Sequence, residues 1–250
     1  MGNIQSIFLF CSIRLDFIFN AMTTNIITVG GDMDGFTAII FDMDGVLVDS
    51  EPLFLKAINN LLTSLGVNPV TDDENESILI GTTVEETWNL LINMRSLPGT
   101  IHSYLDKYDK FVKEILKSDL VPRPGVKSLI EECSNRGIPK AVASSSLREW
   151  VHLKLNTINL KDKFDVVLGG DDVQKGKPEP DIYLMAAEKL QMNPSQCIAI
   201  EDSPVGISAA VDAGIYTVAV LTESTKNLDL SKANEIIETL EYFDYSILKQ

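Results

Sequence analysis

A chain of 250 residues with 45% hydrophobic content is long enough to bury a full core and to carry a smaller inserted domain. Its formal net charge of -15, with no basic run to offset it, argues against nucleic acid and against stable membrane association. Three scattered cysteines (Cys11, Cys133, Cys197) without CxxC spacing, and only two histidines, argue against a disulfide framework and a histidine-cluster metal site and fit a reducing cytoplasm.

The N-terminal stretch 1–36 reads as a poorly ordered extension. Its apolar run Ile7 to Phe19 is interrupted by Arg14 and Asp16, too short and too charged to span a bilayer. From Thr37 the chain alternates. Apolar strands are expected at Thr37 to Phe41, Lys140 to Ala143, Asp165 to Leu168, Cys197 to Ile200 and Tyr216 to Val220, with helical patterns between most of them. That order predicts an α/β fold with a Rossmann-like, doubly wound parallel sheet. Residues 51–121 carry no strand pattern and predict an all-helical insert. Leu53 to Leu65 has an apolar stripe stopped by Gly66, Thr82 and Thr83 with Glu85 and Glu86 offer two overlapping capping boxes, and Ile101 to Leu116 is a further helix. The expected organisation is a core of 37–50 and 122–250 interrupted by a helical cap domain of 51–121. Later helices are expected at Val126 to Asn135, Leu147 to Thr157, Pro180 to Leu190 and Pro204 to Ala213.

The chemistry concentrates at strand ends. Asp42-Met43-Asp44-Gly45 puts two carboxylates two residues apart where the first apolar run stops, and Gly45 permits the sharp turn that holds them there. Its near-copy, Asp32 to Gly35, reads as a loop entering the first strand. Ser144-Ser145-Ser146 follows the second strand and offers hydroxyls and amides to an anion, although taken alone a serine cluster there is more often a helix cap. Lys175-Gly176-Lys177-Pro178 follows the third strand, with an ammonium to aim at a phosphate. Glu201-Asp202 ends the fourth, with carboxylates for a divalent cation.

From about Ala38 to the C-terminus, these motifs closely resemble the haloacid dehalogenase-like superfamily of phosphohydrolases, in the branch of β-phosphoglucomutase and sugar-phosphate phosphatases. The resemblance implies a cap closing over a Rossmann-like core. It makes Asp42 the nucleophile that forms an aspartyl-phosphate and Asp44 the acid/base. Ser144, Ser145 and Lys177 take the phosphoryl charge, and Mg²⁺ is held by Asp42, the Asp44 carbonyl and Asp202. Glu201 orients ligand waters or the lysine. Asp44 argues for phosphate esters over carbon–halogen bonds.

The residues aligned with a histidine and a cap arginine of β-phosphoglucomutase are Phe54 and Val84, which favours hydrolysis over phosphoryl return. The expectation is a cytoplasmic Mg²⁺-dependent phosphatase, a monomer or weak dimer, acting on a small phosphorylated metabolite of the sugar phosphate kind. A phosphosugar mutase and a non-catalytic phosphometabolite-binding protein remain open as alternatives.

Overall fold

The computed structural model describes residues 35–79 and 82–249, so most of the stretch 1–36 lies outside the described residues. Its centre is a parallel sheet of β1 (Ala38–Phe41), β2 (Lys140–Ala143), β3 (Val166–Leu168), β4 (Cys197–Glu201), β5 (Tyr216–Val220) and β6 (Glu235–Ile237). The strand order is β3-β2-β1-β4-β5-β6. The five expected strands are present with ends moved by at most one residue. β6 carries no expectation from the sequence pattern.

Strands buried on both faces need apolar residues throughout, and β1 (Ala-Ile-Ile-Phe) is fully buried along its length. Alternate side chains enter opposite layers. Ile39, Phe41, Val142, Ile198 and Ile200 point into one core, shared with α5 (Val126–Asn135) and α6 (Arg148–Thr157). Ala38, Ile40, Ala141 and Ala199 point into the other, covered by α7 (Asp181–Lys189) and α8 (Pro204–Asp212). Alanines on both sides of this second layer let α7 and α8 approach the sheet closely.

Between β1 and α5 the described residues form helices and no strand of the sheet: α1 (Glu51–Ser64), α2 (Asp72–Glu74), α3 (Val84–Arg95) and α4 (Ile101–Asp119). The helical cap joined to a Rossmann-like core is therefore present. Its centre is aromatic, with Trp88 stacked on Tyr104 at 5.6 Å and edge-on to Tyr108. Of the two capping registers, Thr83 with Glu86 forms: the Thr83 hydroxyl accepts from the Glu86 amide and the Glu86 carboxylate from the Thr83 amide. The Thr82 hydroxyl instead donates to the Leu79 carbonyl and meets Thr87 at 2.6 Å. A second capping box, Thr71 with Glu74, starts α2, which runs into a wider helical turn over Asn75–Leu79. Nothing in the apolar spacing marks that turn.

Candidate active site

β1 is the strand at which the connections change direction, with β2 and β3 on one side and β4, β5 and β6 on the other. A crevice opens outside the carboxyl ends of the strands at such a point. Asp42 follows β1, Ser144 follows β2, and Glu201 ends β4 with Asp202 immediately after, while Lys177 comes from the loop after β3. Period-2 alternation at the end of β1 buries Met43 completely and turns Asp42 and Asp44 the other way. Gly45 then takes a φ of +89°, and its amide donates to the Val48 carbonyl at 2.7 Å. A Cβ at Gly45 would meet an Asp202 carboxylate oxygen at 2.1 Å, so the loop and Asp202 fit together only with glycine there.

Lys177 is the hub. Its buried ammonium donates to Asp42 Oδ1 at 2.6 Å, Glu201 Oε1 at 2.5 Å and the Ala143 carbonyl at 3.0 Å. Burial disfavours its charge, but Asp42 and Glu201 more than offset this and hold the ammonium above its ordinary range. Glu201 is fully buried and satisfied: Tyr183 donates to Oε1 at 2.7 Å, and Oε2 accepts from the Asp202 and Ser203 amides and the Ser203 hydroxyl. Gly206 makes room for it, since a Cβ there would lie 2.0 Å from the carboxylate. Removing the hub in Lys177→Met leaves two buried carboxylates uncompensated. The expected loss of stability is about 3–5 kcal/mol by urea unfolding, and a loss below about 1 kcal/mol would contradict the assigned geometry.

Asp42, Glu201 and Asp202 each bring a carboxylate oxygen within 4.8 Å of the others. Burial, despite Lys177, pushes the Asp42 carboxyl well above the usual range. Burial and the neighbouring Glu201 push Asp202 up to about 7. No hydrogen bond reaches the Asp202 carboxylate among the described residues. Buried acids crowded together, one of them without a donor, form a donor set of hard oxygens that suits Mg²⁺. A carboxyl raised from 3.8 to about 7 keeps its proton in the fold where the unfolded chain has lost it. Stability is thus fully present below about pH 4 and is lost as pH climbs through about 7, by up to roughly 4 kcal/mol at about 1.4 kcal/mol per unit. A divalent cation that holds the carboxylates ionised reverses this. Mg²⁺ is expected to raise Tm by several degrees more at pH 8 than at pH 5; thermal unfolding at the two pH values checks it, and an equal effect at both would count against the cluster as its site.

Asp44 faces different partners. Ser50 donates to its Oδ1, Ser146 donates to Oδ2 at 3.0 Å, and the Lys154 ammonium reaches Oδ1 at 2.5 Å and Oδ2 at 2.6 Å. Lys154 lies on α6 and is only 1% exposed. Lys154 escapes the sequence reading, because a lone lysine in an amphipathic helix reads as a solvated residue, whereas Ser146, expected among the hydroxyls offered to an anion, donates to the Asp44 carboxylate. Arg123 is a further structural partner, donating to the Gly45 and Leu221 carbonyls and tying the acidic loop to the end of β5. Ser144 is buried, its Oγ accepting from the Ser146 amide at 3.1 Å, and Ser145 is exposed beside it.

Comparison with known proteins identifies relatives of the chain as a whole. The family model of haloacid dehalogenase-like hydrolases matches residues 39–220. The chain is 31% identical to the "Phosphorylated carbohydrates phosphatase" of Thermotoga maritima, covering 82% of this chain and 98% of that protein. Among solved structures it resembles a mutant CbbY of Rhodobacter sphaeroides in complex with xylulose-(1,5)bisphosphate, with a TM-score of 0.71, 26% identity, and 86% and 100% of the two chains covered. It also resembles β-phosphoglucomutase of Clostridium difficile, with a TM-score of 0.63, 25% identity, and 84% and 94% covered. The fold and the four strand-end motifs define a phosphoric monoester hydrolase. The chain belongs to the haloacid dehalogenase-like hydrolase family.

Proposed function

We propose that the protein is a Mg²⁺-dependent phosphatase that hydrolyses a small phosphorylated metabolite, a sugar phosphate, through an aspartyl-phosphate on Asp42. One observation carries the reading: two carboxylates two residues apart at one strand end are gripped by different cations, Asp42 by Lys177 and Asp44 by Lys154. Pairs of like groups in unlike surroundings are what separate acid/base and nucleophilic roles demand. The similarity to a phosphatase of phosphorylated carbohydrates supports the substrate class.

In the first step an Asp42 oxygen forms a bond to phosphorus as the bond to the leaving oxygen breaks. Asp44 gives its proton to that oxygen. As the proton leaves, negative charge develops on Asp44, and the Lys154 ammonium is in place to meet it. In the second step Asp44 accepts a proton from water, which attacks phosphorus and frees Asp42 and inorganic phosphate. Lys177 and the Ser144–Ser145 segment balance charge on the transferring oxygens, and Glu201 keeps Lys177 in place. Asp42, Asp202 and the Asp44 carbonyl would hold Mg²⁺, which when bound offsets repulsion between the carboxylates and a phosphate dianion. Residues 51–121 would act as the cap that excludes water.

A panel of phosphorylated metabolites assayed for phosphate release, with and without Mg²⁺, tests this reading. The expected result is Mg²⁺-dependent release that Asp42→Asn lacks. Isomerisation that needs a bisphosphate activator would point to a mutase instead, and no turnover of any substrate would leave the reading without support.

A further inference from the structure

Tyr183 lies in the first turn of α7, and the loop that leads into this helix carries Lys177, so one short segment presents both residues. The tyrosine is completely buried. Its hydroxyl donates to Glu201 Oε1 at 2.7 Å, the same oxygen that accepts from Lys177, and the Lys177 ammonium lies 5.0 Å from the centre of the Tyr183 ring. One side chain therefore touches both members of the buried ion pair, the acid through its hydroxyl and the ammonium through its ring face.

Lys177 spends its three N–H donors on Asp42, Glu201 and the Ala143 carbonyl. As phosphorus bonds to Asp42, the ammonium has to turn toward the transferring oxygens, and Glu201 competes for it. Lys177 and Tyr183 are the two donors to Glu201 Oε1 among the described residues. Two donors on one oxygen divide its charge, so the tyrosine hydroxyl loosens the grip of Glu201 on Lys177 and fixes the rotation of the carboxylate. Burial and the charges of Glu201 and Asp42 push that hydroxyl far above its ordinary range, which keeps it a donor at any working pH.

We propose that Tyr183 is a positioning residue for phosphoryl transfer: by sharing Glu201 Oε1 with Lys177 and backing the ammonium with its ring, it keeps Lys177 turned toward Asp42 and the transferring oxygens. The proposal rests on the phosphatase reading, in which Lys177 balances charge on those oxygens. An interaction that strengthens as charge shifts onto them lowers the barrier of the chemical step more than it tightens substrate binding. Loss of the hydroxyl therefore lowers kcat and spares KM. A purely structural role would lower stability and leave kcat per folded molecule unchanged.

Phosphate release from p-nitrophenyl phosphate at saturating Mg²⁺, with vanadate as a mimic of five-coordinate phosphorus, compares the unsubstituted protein with Tyr183→Phe and Ala187→Gly. Phenylalanine keeps the ring and loses only the hydroxyl. Ala187→Gly weakens the same helix at another buried position that carries no polar group. Tyr183→Phe is expected to lower kcat about fivefold to twentyfold with KM within about twofold, and to weaken vanadate inhibition by the same factor. Ala187→Gly is expected to lower Tm while kcat stays within about twofold. A Tyr183→Phe kcat within about twofold of the unsubstituted protein overturns the proposal, as does a change confined to KM or an equal loss of kcat in Ala187→Gly. Failure of the phosphatase reading shows elsewhere, as no phosphate release by the unsubstituted protein, and takes this proposal with it.

Discussion

Asp42→Asn is expected to lower kcat for phosphate release by about 10⁴-fold or more on every substrate, because an amide cannot carry the phosphoryl group and Asp44, the other carboxylate at that strand end, is held by Lys154. The substitution is nearly isosteric and removes one negative charge from a crowded set. Burial and Glu201 already push the Asp42 carboxyl up, so the neutral side chain relieves repulsion even as Lys177 loses one of its two ionic partners. Stability should therefore hold within about 1–2 kcal/mol while activity collapses, and that combination separates a chemical role from a structural one. Steady-state kinetics with thermal unfolding of the same sample measures both. Retention of more than a tenth of the activity would remove Asp42 from the mechanism.

Asp44→Asn is expected to depend on the leaving group. For an alkyl phosphate, such as a sugar phosphate, the departing alkoxide needs a proton, and kcat should fall by about 10²- to 10⁴-fold. p-Nitrophenolate leaves without one, so the first step survives and only hydrolysis of the phosphoenzyme slows. A burst of p-nitrophenol, equal to the enzyme present and followed by a slow steady state, is the expected signature in rapid-mixing kinetics. An equal loss on both substrates with no burst would show that Asp44 is not the proton donor. Lys154→Met, which removes the cation from both Asp44 oxygens, should follow the same leaving-group pattern with a smaller loss.

Much of the fold is legible in the amino-acid sequence. β1, β2, β4 and β5 are buried along most of their length, and burial writes itself into a sequence as an unbroken apolar run. Asp42, Ser144 and Asp202 are legible because each directly follows such a run, so chain position places them at one edge of the sheet, while Lys177 comes from the longer loop after β3. β6 is not: an edge strand has one neighbour, and Glu235 and Ile236 are both partly exposed to solvent, leaving too little apolar pattern to read.

Lys154 was missed for a different reason. Its partner is 110 positions away, and helical periodicity reports only that a residue sits on a helix, not what a buried ammonium faces. The choice between the Thr82 and Thr83 capping registers likewise needed the fold, since both have an acid three residues on. Thr87 and the Leu79 carbonyl engage the Thr82 hydroxyl, leaving the cap to Thr83.

The most direct test of the account is to trap the covalent intermediate. Asp44→Asn protein mixed with Mg²⁺ and p-nitrophenyl phosphate, quenched in acid and peptide-mapped by mass spectrometry, should carry one phosphoryl group on the peptide containing Asp42, lost on treatment with base. Phosphorylation at another residue, or none in a sample that still releases p-nitrophenol, would contradict Asp42 as the nucleophile.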